Sequence, residues 1–191
     1  MAESGNVLSI MQKMKDITTD AIKTISVDHS EIHDGSFHQA ILNTSSLGAS
    51  SWLMMQINTP SSDIAEIHMF SDFNNSGGAV EFLKIGSPTT MINGNAMVTV
   101  FNNNRKSTKV SSLVIFSNPT GGSISSTATS SQANIIYYYY EGSTGGNQGK
   151  NASNGRDANE WILKANSTYV YKITNLGSAG LATLRLNWYE V

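Results

Sequence analysis

The chain has 191 residues and a formal net charge of -2, enough for one domain, or for one domain with an arm. Only 14% of residues are charged, while Ser, Thr and Asn make up 62 of 191; that suits strands joined by turns and disfavours a helical bundle. A pI near 6.0 leaves no basic surface for nucleic acid, and the lack of cysteine excludes disulfides, thiolate metal sites and a Cys nucleophile.

No apolar run approaches the roughly 20 residues of a membrane span. Residues 1–5 show no basic stretch leading into an apolar one, so no export signal is expected and folding is expected in the cytoplasm. From Asn6 to Ile25 the apolar positions Val7, Ile10, Met11, Met14, Ile17, Ala21 and Ile22 recur every three or four residues. That spacing predicts one amphipathic helix, with Lys13, Asp16, Asp20 and Lys23 mostly on the other face. A lone helix of this length is marginal in water, so the stripe needs a partner surface, on its own domain or on another chain. Nine of the 26 charged residues fall in the first 34 positions. The drop afterwards places the boundary of an N-terminal arm, residues 1–27, before a β domain, residues 28–191.

At that boundary His29 and His33 stand four apart, close to Asp28, Glu31, Asp34 and His38. On a helix this spacing would suit a metal, with His68 as the one distant partner. Gly35 and the strand behind it favour instead a polar elbow whose groups hydrogen-bond one another or the backbone.

Beyond the boundary the period becomes two. Strands are predicted over Ser36–Asn43, Ser51–Asn58, Ile64–Phe70, Ala79–Ile85, Ala96–Phe101 and Val110–Ser117. Asn134–Glu141, Glu160–Lys164, Thr168–Asn175 and Thr183–Glu190 complete the set. Within two of them, Tyr169, Tyr171 and Ile173, and Leu184, Leu186 and Trp188, would face a core, their alternating neighbours facing solvent. Asn74–Gly78 and Ile92–Asn95 read as turns. Residues 120–133 and 142–159 read as long loops, the kind that is functional or mobile. The expected architecture is an all-β antiparallel sandwich or barrel.

Catalytic patterns are lacking. There is no G-x-S-x-G elbow. Glu66, Glu81, Glu141, Glu160 and Glu190 cannot be paired from spacing alone, and Gly142–Gly149 lacks the G-K-[ST] of a phosphate loop. No cofactor and no metal are expected. Binding residues are easier to nominate. Two of the four tyrosines in Tyr137–Tyr140 should face outward, which makes Tyr138 and Tyr140 candidates for a protein or glycan contact. Trp52, Trp161 and Trp188 are candidates for a sugar platform or, at strand positions, for the core. Arg105, closing Asn102-Asn-Asn-Arg105, suits a carboxylate across a subunit contact or a local turn.

Three stretches together resemble a known group: His29-Ser-Glu-Ile-His-Asp-Gly-Ser-Phe37, Phe101-Asn-Asn-Asn-Arg105, and the C-terminal set Gly145-Gly-Asn, Asn159-Glu-Trp-Ile-Leu163, Tyr169–Asn175 and Leu186–Glu190. They are similar to tailed-bacteriophage capsid decoration, or cement, proteins. The resemblance covers roughly residues 28–191 and leaves the N-terminal helix unmatched. It implies a β-sandwich of jelly-roll type. It also implies a homo-oligomer, expected as a homotrimer, that binds the major capsid protein on the outer surface of the head, with no role for nucleic acid or membrane. On that reading the contact residues are Val7, Ile10, Met11, Met14, Ile17, Arg105, Tyr138 and Tyr140. The alternatives are a carbohydrate-binding or adhesive sandwich and a tail or baseplate protein.

Overall fold

The computed structural model describes residues 27–61, 66–86, 96–117, 135–142, 152–154 and 160–191. The helix expected over Asn6–Ile25 lies outside the described residues. So do the side chains of Val7, Ile10, Met11, Met14 and Ile17.

The described residues form twelve strands and one helix. They are α1 (Val27–Asp34), β1 (Phe37–Leu47), β2 (Trp52–Asn58), β3 (Ile67–Asn75), β4 (Val80–Gly86), β5 (Ala96–Met97) and β6 (Val100–Asn102). β7 (Val114–Ser117), β8 (Ile135–Glu141), β9 (Ala152–Asn154), β10 (Trp161–Leu163), β11 (Thr168–Asn175) and β12 (Gly180–Glu190) follow. The first sheet has the order β10-β3-β12-β1-β6, with β9 also on β3. The second runs β5-β7-β2-β11-β4-β8. Every pairing is antiparallel. Two such sheets face to face make a β-sandwich, as the period-two pattern predicts.

The core lies between the sheets. Met55, Ile57, Phe82, Tyr171 and Ile173 meet Met69, Phe73, Leu184, Leu186 and Trp188. Burying each such side chain contributes roughly 1.5–3 kcal/mol. Phe73 and Phe82 join the sheets with ring centroids 5.2 Å apart. Trp188 is fully buried, and its indole N–H is satisfied by Glu190 Oε1 at 3.0 Å.

Several elements depart from expectation. The segment read as a polar elbow is the helix α1. Gly35 terminates it: at φ +81° it takes the left-handed position behind the last turn, and Gly35 N and Ser36 N both donate to Glu31 O. Ile32 then holds α1 to Phe37, Phe70 and Tyr189 on the outer side of the first sheet. The Ala96–Phe101 run splits into β5 and β6, which belong to different sheets. The run expected from Val110 is a strand only from Val114, because Glu190 accepts hydrogen bonds from Ser111 Oγ and Ser112 N and holds that stretch against β12. β3 begins at Ile67 and runs on through Asn75. β9 sits within the expected long loop 142–159.

The alternation along β11 is also more than core against solvent. Tyr169, Tyr171 and Ile173 do enter the core, but Val170 and Lys172 on the opposite face are buried too. Direct register aligns Tyr138, Leu83, Lys172 and Met54 across β8, β4, β11 and β2. There Met54, Leu83 and Val170 form a second apolar cluster with Trp52 and Tyr138 packed on it. The Lys172 ammonium lies 5.7 Å from the Trp52 ring centroid, so an apolar stem and a cation–π contact let a lysine sit there.

At one pole three turns are tied by asparagines. Asn175 Nδ2 donates to Leu47 O at 2.8 Å and to Ser178 O at 2.7 Å. Its Oδ1 accepts from Asn75 Nδ2 and Gly177 N, both at 3.0 Å. Gly77 and Gly177 allow the turns to touch: a Cβ on either would stand 2.1 Å from a carbonyl oxygen of the other turn.

Candidate interaction surface

The opposite pole carries the sequence-nominated arginine. β6 ends in a turn closed by its asparagines. Asn102 Nδ2 donates to Gly35 O at 2.7 Å and to Lys109 O at 3.0 Å. Asn102 Oδ1 accepts from Asn104 N at 2.8 Å, and Asn104 Nδ2 donates to His33 O at 2.9 Å. The turn is thus stabilised by amides, and Arg105 is left exposed at its tip. Lys109 adds an ion pair to Asp34, so the end of α1 is fastened to this turn.

Beside it, β5 and β6 end the strand orders of the two sheets among the described residues, with Val98 and Thr99 crossing between them. Two hollows flank that crossing. One, of about 540 Å³, is lined by His38, Met97, Val100, Asn102, Val110 and Val114 among others. The second, of about 470 Å³, adjoins Ile41, Leu42, Met97 and Phe101. The rim is apolar and exposed: Val110 is 88% accessible, Met97 69%, Phe101 39% and Val114 37%. Large apolar groups gathered at one margin of a sandwich mark a contact surface more than singly scattered ones do. At the base, His38 is buried against Trp188, 5.9 Å between centroids. His38 Nδ1–H donates to Ser36 O at 2.9 Å, which fixes the tautomer.

Tyr138 and Tyr140 lie elsewhere. β8 is the other margin of the second sheet, far from β5. Tyr140 is 60% exposed and meets Tyr138 edge-on at 5.2 Å; Tyr138 itself is half-buried over the second cluster. The structure therefore does not bring Arg105 and the tyrosine pair into one site. Of the three tryptophans, Trp188 is core. Trp161 is half-buried, edge-on to Tyr137 at 6.1 Å, and Trp52 is half-buried on the outer cluster.

Nor do His38 and His68 converge. His38 is buried, whereas His68 pairs with Glu160 on the far margin, stacks on Tyr189 at 4.6 Å and has Tyr189 O–H donating to the same carboxylate at 2.8 Å. Among the described residues there is no group of three His, Cys, Asp or Glu positioned for a metal. No described helix is long and apolar enough to cross a membrane. Comparison with protein-family models, with characterised proteins and with solved structures finds no match.

Among the described residues, sequence reasoning missed two buried cations, Lys172 on the outer face of β11 and Lys84 in the core. Lys84 points inward on β4, fully buried, with its Nζ 5.5 Å from the Phe82 centroid, 5.3 Å from Tyr137, 5.1 Å from Trp161 and 5.2 Å from Tyr171. Alternation counted from Phe82 places Lys84 on the core face. That was the available signal, but a lysine is normally read as solvent-facing.

Proposed function

We propose that this protein is a non-enzymatic virion structural protein that decorates and stabilises an icosahedral phage head by binding the major capsid protein on its outer surface. It acts as a homotrimer, built on a sandwich of jelly-roll type and made in the host cytoplasm. The observation that carries the reading is the exposed apolar margin at Met97, Phe101, Val110 and Val114, with Arg105 beside it: a surface suited to gripping another protein. The sequence resemblance supplies the partner. Bound copies spanning neighbouring capsomers would raise the cost of opening the lattice, because they bind only the assembled state. The test is to mix the protein with expanded, undecorated heads and image them by cryo-electron microscopy. Ordered density at icosahedral positions is expected; its absence removes the proposal.

A second reading, a carbohydrate-binding or adhesive module, draws on the exposed Tyr140 beside Tyr138. Trp188 is unavailable to it, being core. Glycan-array binding lost in Tyr140→Ala would favour it over decoration.

A further inference from the structure

We propose that the larger hollow beside β5 and β6 seats a tyrosine side chain of the partner protein, whose hydroxyl donates to His38 Nε2 on the floor. This names the anchor of the contact proposed above and rests on that reading. His38 lines the hollow and is only 2% exposed. Its Nδ1–H is spent on Ser36 O at 2.9 Å, so in the neutral ring Nε2 offers a lone pair. Asn102 Nδ2 stands 3.4 Å from that nitrogen, but its two hydrogens go to Gly35 O at 2.7 Å and Lys109 O at 3.0 Å. Nor can the amide turn round, because its Oδ1 accepts from Asn104 N at 2.8 Å. No other described residue donates to Nε2. A buried acceptor is costly while unmet, and a donor arriving through the hollow removes that cost.

The walls select the rest of the occupant. Met97, Val100, Val110 and Val114 help to enclose about 540 Å³, room for a ring. Ser111 and Lys109 also line it, but Ser111 Oγ is held by Glu190 and Lys109 by Asp34. An ammonium would bring two further donors with no acceptor to meet them, and a serine or threonine hydroxyl would leave the space unfilled. An indole N–H lies on the flank of its ring, whereas a phenol carries its one O–H at the tip, which reaches a floor first. A free phenol would fill the hollow yet leave the rim bare, with Val110 88% and Met97 69% exposed. A protein covers both, with its aromatic anchor inside and apolar contacts around it.

The test starts from the wild-type full chain and p-cresol, the tyrosine side chain as a free molecule, followed by nitrogen-detected NMR. p-Cresol should move the amide signals of Val98, Val110 and Val114 and shift the His38 Nε2 resonance. It should bind about three- to tenfold more tightly than p-methylanisole, the same ring with its donor capped. Equal affinity for the two, or an unmoved His38 Nε2 signal, overturns the proposal. A second arm uses expanded heads decorated with the protein. Saturating p-cresol should release bound copies; decoration that withstands it overturns the tyrosine anchor. Heads that never take up the protein would remove the capsid as partner, and the NMR arm would still decide for or against the hollow.

Discussion

Asn175→Ala tests whether the asparagine-tied pole governs stability. The wild-type side chain makes four well-formed hydrogen bonds, to Leu47 O, Ser178 O, Gly177 N and Asn75 Nδ2, between 2.7 and 3.0 Å, and it is fully buried. A satisfied buried hydrogen bond contributes about 1 kcal/mol net, and each partner left stranded costs about 1–3 kcal/mol. With partial relief from an entering water, the loss should be about 3–5 kcal/mol. For a chain of this size that lowers the melting temperature by roughly 6–20 °C. Urea unfolding followed by tryptophan fluorescence measures it directly. Asn175→Asp should be worse at neutral pH, because it places a carboxylate against the Leu47 and Ser178 carbonyls. Desolvation raises that acid's pKa, so its deficit should shrink on acidification, as the protonated form regains one O–H donor. A loss under about 1 kcal/mol for Asn175→Ala would refute the claim that this amide holds the three turns together.

Burial pushes the Lys172 ammonium below its ordinary value of 10.5, with the Glu81 carboxylate only partly offsetting. Between the depressed value and 10.5 the unfolded chain holds more protons, so this residue makes stability rise with pH across that window. Urea midpoints of Lys172→Met should lack that rise; an unchanged slope would count against the assignment. Asp72 has the opposite sign: desolvation raises its carboxyl above 3.8 despite Arg185 and Asn187. Acidification through that raised value should therefore relieve a cost, and Asp72→Asn should not lower the urea midpoint at neutral pH. Trp188→Ala opens the core and should cost about 3–5 kcal/mol, whereas Tyr140→Ala, at an exposed margin, should stay within about 0.5 kcal/mol; calorimetry separates the two. For Lys84, removing the stem in Lys84→Ala should cost about 2–4 kcal/mol. Lys84→Met keeps the volume but removes the charge with every contact the ammonium makes, so its deficit set against that of Lys84→Ala separates charge from stem. A deficit above about 2 kcal/mol for Lys84→Met would mean that the charge itself is required.

The sequence by itself determined the class of fold and the places of most strands. Side chains alternate with period two, and Val, Ile, Tyr and Trp at every second position leave an antiparallel sheet little choice of buried face. Leu184, Leu186 and Trp188 are the clear case: they were readable as core, and they are core. Local chemistry also marked a turn at 76–78, within the expected Asn74–Gly78, although Asn74 and Asn75 themselves extend β3. Only the tertiary structure decided matters that depend on what lies across a gap. Gly35 ends a helix rather than precluding one, because Ile32 finds Phe70 and Tyr189 to pack on. Val170 and Lys172 are buried on a face that alternation assigns to water, because Met54 and Leu83 on neighbouring strands stand beside them. Arg105 and Tyr140, nominated for one purpose, sit on different margins, because strand order is set by long-range pairing that no local spacing encodes. The apolar margin at Met97 and Val110 emerged for the same reason: those residues are 13 positions apart in sequence and share a hollow only after β5 and β6 have parted to different sheets.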